Sequence, residues 1–199
     1  MKYATRLSLT LAVCAAFPAT SFADTATFRV GGDGKSTATF VSDAPLETMT
    51  GKTNQVTGVL TVDPADITKT TGKFKAPVAS LRTGNDLRDE HLQGDGWLDA
   101  AKNPYVHFEI SEVILGKKGG KELKPGKDTK VEVKGKFTAR GVTQIVATRG
   151  TASWSDDAIR IKAEFPVVLT AHEISVPSIV RLKVANEIQV SVDLRGSTK

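Results

Sequence analysis

The chain has 199 residues, of which 25% are charged, with a formal net charge of +5 and one cysteine. That length holds one ordinary domain with a core large enough to stand without staples. The single cysteine excludes a disulfide framework, the charge is too mild to argue for nucleic acid, and no apolar run reaches the ~20 residues of a membrane-spanning helix.

In chain order, residues 1–23 read as an export signal. Lys2 and Arg6 give a positive start, and residues 7–16 are apolar but too short to span a bilayer. Ser21, Phe22 and Ala23 then offer small residues at the two recognised positions of a cleavage site. Cys14 lies inside this segment, and Val13 is bulkier than the residue that normally precedes a lipoprotein acceptor cysteine. The mature domain is therefore expected to be residues 24–199, with no thiol and, once Lys2 and Arg6 are gone, a net charge of about +3.

Gly31, Gly32, Asp33, Gly34, Lys35 and Ser36 end like a phosphate-binding loop, but Arg29 stands where the first glycine is needed. A glycine-rich turn between two strands is the reading that remains. Residues 37–41 and 49–62 read as strand, with Val56, Leu60 and Val62 on one parity. Gly58 between them marks a bulge or a close backbone approach. Asp63, Pro64, Ala65 and Asp66 make a turn, and Phe74, Ala76 and Val78 alternate in the next strand.

Residues 83–108 interrupt this pattern. Asn85 can cap a short helix, and Asp86 and Asp89 favour its positive end. Leu87, His91 and Leu92 make a narrow apolar edge. Gly94 and Gly96 break the turn, Trp97, Leu98, Ala100 and Ala101 start a second, and Pro104 stops it. Leu87, Leu92, Trp97 and Leu98 are expected to pack across one end of the sheet structure. Val106, Phe108 and Ile110 then alternate as a strand, with His107 and Glu109 on its opposite, solvent-facing side.

Residues 106–115 pair most simply with 130–139. The connection between them holds Lys117, Lys118, Lys121, Lys124 and Lys127 against Glu122 and Asp128. It reads either as a solvated hairpin tip or as a foot for transient contact with an anionic membrane surface. Residues 142–154 continue as strand, Ile159 to Leu169 alternate without a break, and Ile188, Val190, Val192 and Leu194 close the chain. The fold class is all-β: about eight antiparallel strands with a short helical insert near 85–101. A closed barrel and a two-sheet sandwich both fit that pattern.

The motif formed by Thr83, Gly84, Asn85, Arg88, Asp89, His91 and Leu92, then Leu98, Asp99, Pro104 and Phe108, resembles the central motif of the YceI family of lipocalin-like periplasmic proteins. Gly135, Phe137, Thr138, Arg140, Gly141, Val142 and Thr143 resemble a strand and turn of the same family. The likeness runs over roughly the whole mature chain. The last third departs from it: Phe165 and Pro166, then Ala171 to Pro177, replace the arginine and aspartate pattern usual there. The resemblance implies an eight-stranded lipocalin-like barrel in the periplasm. Its tunnel would be filled by an isoprenoid lipid, a polyisoprenoid or an isoprenoid quinone tail, with no cofactor required.

The interior candidates are Phe40, Leu60, Phe74, Val78, Leu92, Phe108, Ile110, Phe137, Ile161 and Phe165. By residue type alone they either pack against each other as a plain core or leave a tunnel. The histidines, His91, His107 and His172, belong to no recognisable catalytic or metal-binding motif. Two other readings stay open: a small enzyme on an apolar substrate with His91 or His172 as general base, and a barrel that only scaffolds surface contacts. The oligomeric state is open too, with a homodimer compatible.

Overall fold

A computed structural model describes residues 25–115, 121–155 and 157–198. The expected export signal with Cys14, and Lys117 and Lys118 of the lysine-rich connection, lie outside the described residues. In chain order the strands are β1 (Ala26–Val30), β2 (Thr37–Ala44), β3 (Glu47–Thr53), β4 (Thr57–Val62), β5 (Thr71–Pro77), β6 (Tyr105–Ile114), β7 (Thr129–Ala139), β8 (Val142–Trp154), β9 (Ala158–Val168) and β10 (Glu187–Ser197). All pair antiparallel, and they fill eight positions of a closed ring.

The count of eight follows from two end-to-end pairs. β1 pairs with β4 from Ala26↔Val62 to Val30↔Gly58, and β2 pairs with β3 from Ala38↔Thr53 to Ala44↔Glu47. β1 and β2 thus share one position, and β3 and β4 share the next. The strands from β5 onward form a meander, and β10 closes the ring against β2 and the end of β1. The barrel, rather than the sandwich, is the fold.

Residues 49–62 are broken at 54–56 instead of running through. The cause is the glycine loop. Gly31 adopts φ +85°, and a Cβ there would lie 2.0 Å from the Val56 carbonyl oxygen. Only a residue without a side chain lets the loop backbone cross so closely. Ser36 anchors it: its hydroxyl donates to the Arg195 carbonyl at 3.2 Å and accepts from the Arg195 amide at 3.0 Å.

The two ends of the barrel differ. At the lower end, Leu123 and Ile67 are buried, and residues 121–123 of the lysine-rich connection fold back beneath the strands. The Ile67 amide donates to the Lys121 carbonyl at 3.0 Å, and the Leu123 amide to the Pro64 carbonyl at 2.9 Å. That part of the connection is therefore a plug and not only a solvated tip. The upper end carries the β2–β3 turn, the 78–104 insert, the β7–β8 turn and residues 169–186. Val78, Leu81, Leu98, Leu169, Ile174 and Val176 form a separate apolar cluster there.

The insert contains one helix, α1 (Asp86–Gln93), capped as expected by Asn85, whose side chain accepts from the Arg88 amide at 3.0 Å. Residues 95–98 make turns, not a second helix. Leu87 is 62% exposed and covers nothing, which corrects the expected apolar edge. The helix is oriented by a buried carboxylate instead. Asp89 accepts from the Thr83 hydroxyl at 2.6 Å and the Thr83 amide at 2.7 Å. Leu87 and His91 sit about half a turn away from Asp89 and so point outward.

Burial pushes the Asp89 carboxyl up, but the hydrogen bonds from Thr83 and the charges of Arg82 and Arg88 outweigh it and hold the group below the usual carboxylate range. A carboxyl with a depressed folded-state value stabilises the fold at neutral pH and loses that contribution as pH falls through the acid range. Asp89→Asn is expected to melt several degrees below the wild type at neutral pH, with the gap closing in acid. Circular dichroism melts across pH check this, and a gap independent of pH would contradict it.

Candidate functional site

The barrel interior holds a cavity of about 250 Å³. Ligand pockets commonly run ~300–1,000 Å³, so this one suits a slender occupant better than a bulky one. Phe108 and Ile110 of β6, Phe137 of β7 and Ile161 of β9 all line it. These four point inward at mid-barrel and yet are only half-buried. Side chains in a filled core at that depth would be fully covered. They border open space along the axis.

Glycines keep the axis clear. A Cβ on Gly51 would meet the Phe40 ring at 2.3 Å, one on Gly58 the Phe74 ring at 2.5 Å, and one on Gly135 the Phe108 ring at 2.2 Å. Each ring therefore lies over a glycine of the neighbouring strand instead of reaching across the axis. Phe165 joins the wall, with its centroid 5.7 Å from Phe108 and 5.4 Å from Phe137.

Of the ten interior candidates, Phe40, Leu60, Phe74, Leu92, Phe108, Ile110, Phe137, Ile161 and Phe165 line the cavity. Val78 does not. It is 1% exposed in the upper cluster, because a 3-10 turn at Val78–Ser80 ends the alternation of β5. The sequence reading passed over Val190 and Val192 of β10 and Val133 of β7, which also line the wall. Their strand parity was visible. What placed them in the cavity was register: Val190 opposite Phe165, and Val133 two residues from the glycine under Phe108. Trp97 and Met49 line the cavity toward the upper end, both half-buried.

Two hydroxyl groups of the wall are tied down by hydrogen bonds. The Ser42 hydroxyl accepts from the Ala185 amide at 2.9 Å, and the Thr53 and Ser80 hydroxyls bond at 2.7 Å. The strong ion pair of this region lies on the outer face. Arg160 grips Asp193 through two bonds of 2.9 and 2.6 Å, which lowers the Asp193 carboxyl and raises the Arg160 guanidinium.

The three histidines stay apart. His91 is exposed on the outer side of α1, and His107 is exposed beside Tyr105, 6.0 Å between centroids. His172 is 1% exposed, donates from Nδ1 to the Val142 carbonyl at 2.9 Å and stands edge-on to Phe137 at 5.4 Å. Its place has a structural origin. The β8–β9 ladder stops at Arg149↔Glu164, although β8 begins at Val142 and β9 ends at Val168. The turn Leu169–His172 fills that splay, and Gln144 Nε2 donates to the Ala171 carbonyl at 2.7 Å across it. Among the described residues no group of three or more His, Cys, Asp or Glu could hold a metal ion.

Two outcomes follow from these contacts. Gly135→Ala forces the Phe108 ring toward the axis and is expected to cost about 1–3 kcal/mol while shrinking the cavity. Urea denaturation and a crystal structure check both, and an unchanged ring position would show that the glycine is not what holds it aside. His172→Ala removes the bond to the Val142 carbonyl and the buried ring that stands edge-on to Phe137, for a loss of about 1–3 kcal/mol in stability. A variant as stable as the wild type would contradict the splay-filling role.

The model of the YceI-like domain matches residues 21–195. A comparison with curated protein sequences finds no match. Among solved structures, the fold is similar to BcnA of Burkholderia cenocepacia at 21% identity and TM-score 0.69, covering 81% of this chain and 96% of that one. It is similar to a polyisoprenoid binding domain from Saccharophagus degradans, implicated in plant cell wall breakdown, at 17% identity and TM-score 0.67, with 87% and 99% covered. A YceI protein of Campylobacter jejuni matches at 18% identity and TM-score 0.59, with 75% and 84% covered.

Proposed function

We propose that this chain, which belongs to the YceI family, binds a long isoprenoid lipid along the barrel axis and serves as its carrier or store. The observation that carries the reading is the ring of half-buried, inward-facing Phe108, Ile110, Phe137 and Ile161 around an apolar cavity. The similarity to a polyisoprenoid binding domain supports the choice of ligand class. The lower end is plugged by Ile67 and Leu123, both within 4% exposure, so the tail enters from the upper end and its head group stays there.

Affinity then comes from apolar surface removed from water, about 0.8 kcal/mol per buried CH₂, less the cost of ordering a flexible tail. Lys75 of the wall turns its ammonium over the Tyr105 ring, 4.6 Å from the centroid, and no charge is aimed at the axis among the described residues, so the tail supplies strength and the head group supplies selectivity. A quinone and a polyprenyl phosphate are both served by such a cavity. Catalysis has no support from the separated histidines, and the similarity to a polyisoprenoid binding domain favours binding. Residues 1–23 and the mild charge of the mature chain are consistent with an exported, periplasmic carrier.

The test is a tail-length series read by tryptophan quenching, with Trp97 as the probe in the cavity wall. Affinity is expected to rise with each isoprene unit until the axis is full and then to level off. Ala163→Trp, a substitution at a residue of the wall, is expected to shorten the preferred tail with the fold intact by circular dichroism. Equal affinity for short and long tails would overturn the reading, as would conversion of the ligand by the wild type.

A further inference from the structure

We propose that the upper rim of the barrel docks on an anionic phospholipid bilayer through residues 177–184, with Ile179 and Leu182 entering the acyl boundary and Arg181 and Lys183 meeting the phosphates. The inference gives the lipid-carrier reading its route of loading, but it stands on surface chemistry of its own.

The apolar rim is unusual for its exposure. Ile179 is 90% exposed, Leu46 67% and Leu182 57%. They belong to one patch, because the Leu46 amide donates to the Leu182 carbonyl at 2.8 Å. Leu87, 62% exposed on α1, stands on the same rim, since Arg88 beside it bonds Glu47 at the start of β3 at 2.7 Å. A large aliphatic side chain gains about 1.5–3 kcal/mol when it leaves water, so several together at one end of a monomer mark a contact surface.

The same short segment turns other side chains inward. Val180 packs on the upper cluster, and Val184 lines the cavity. Met49, two residues beyond Glu47 and three beyond Leu46, lines it as well. The exposed patch is thus continuous with the cavity mouth, which is where an apolar tail must cross between protein and bilayer without meeting water.

Charge selects the bilayer over other apolar partners. No Asp or Glu occurs between the exposed Glu173 and Glu187, which flank the segment, while Arg181 and Lys183 alternate with the exposed Ile179 and Leu182. Both basic residues are exposed. Each such cation near an anionic surface adds about 1 kcal/mol, and its long stem can lie along the apolar boundary while the charge stays at the headgroups. The nearby carboxylates temper this. Glu47 is paired with Arg88 and Asp43 accepts from Thr48, but Asp86 and Glu90 of α1 are exposed and unfavourable at an anionic surface. The barrel therefore leans on the 177–184 side.

This surface competes with the lysine-rich connection as the membrane-facing end. Lys121 lies at the plugged end of the barrel, 3.7 Å from Asp66. A membrane held there would leave the cavity mouth pointing away from the lipid source.

The experiment is flotation of the purified full-length protein with vesicles of phosphatidylcholine alone, and of equal parts phosphatidylcholine and phosphatidylglycerol, with no isoprenoid added. The wild type is expected to float with the anionic vesicles, and I179S/L182S to lose most of that binding. R181Q/K183Q is expected to remove the preference for phosphatidylglycerol, and K121Q/K124Q to change nothing. Circular dichroism of each variant and the amount of isoprenoid retained from expression keep folding and cavity binding separate from docking. Absence of wild-type flotation would overturn the proposal, and so would flotation that survives I179S/L182S or is lost in K121Q/K124Q. Sedimentation in which the wild type self-associates through Ile179, with no vesicle binding, would assign the patch to a second copy of the chain and sink it equally.

Discussion

The structure depends on how an eight-position barrel fills its interior. At that size a closed ring is just wide enough for side chains to meet across the axis. Here several of the largest inward residues do not reach for the axis. Phe40, Phe74 and Phe108 lie over Gly51, Gly58 and Gly135, each at a distance that no Cβ would tolerate. The aromatic mass goes into the wall, and the centre stays open. A phenyl ring over glycine also shields the bare backbone of the partner strand, so the same contact that vacates the axis stabilises the sheet.

The ends give the open axis a direction. Below, Phe28, Leu60, Val62, Ile67, Leu123 and Leu194 are all within 5% exposure, and residues 121–123 of the lysine-rich connection are hydrogen-bonded under them. Above, the cover is assembled from an insert and two loops, with Trp97, Leu92 and Val184 only half-buried. Asp89 holds the insert in place through Thr83, and His172 fills the splay between β8 and β9. Two buried polar residues thus fix the lid, while the floor is apolar. The cavity is thus closed below by apolar side chains and covered above by elements held through buried polar contacts.

Much of this was legible in the sequence, for local reasons. The Asn85 cap, the shared parity of Val56, Leu60 and Val62, the close approach at Gly58 and the pairing of 106–115 with 130–139 all follow from residues a few positions apart or from strand alternation. What escaped was set across the chain. The break at 54–56 comes from Gly31 crossing Val56, twenty-five residues away in sequence. Leu87 was assigned to the apolar face of α1 because it is apolar, but the helix obeys the buried Asp89. Val78 continues the alternation of β5 on paper and leaves the wall in space. The valines of β10 were recognised as strand residues, and only register made them cavity lining.

The central claim is that the axis is occupied by lipid and not merely unfilled. Mass spectrometry of an organic extract from protein purified without detergent tests it most directly. The account predicts a stoichiometric species with regular isoprene spacing, replaced by a shorter-tailed species in the extract of Ala163→Trp. An extract free of lipid, from protein that is folded and purified from its native host, would contradict it.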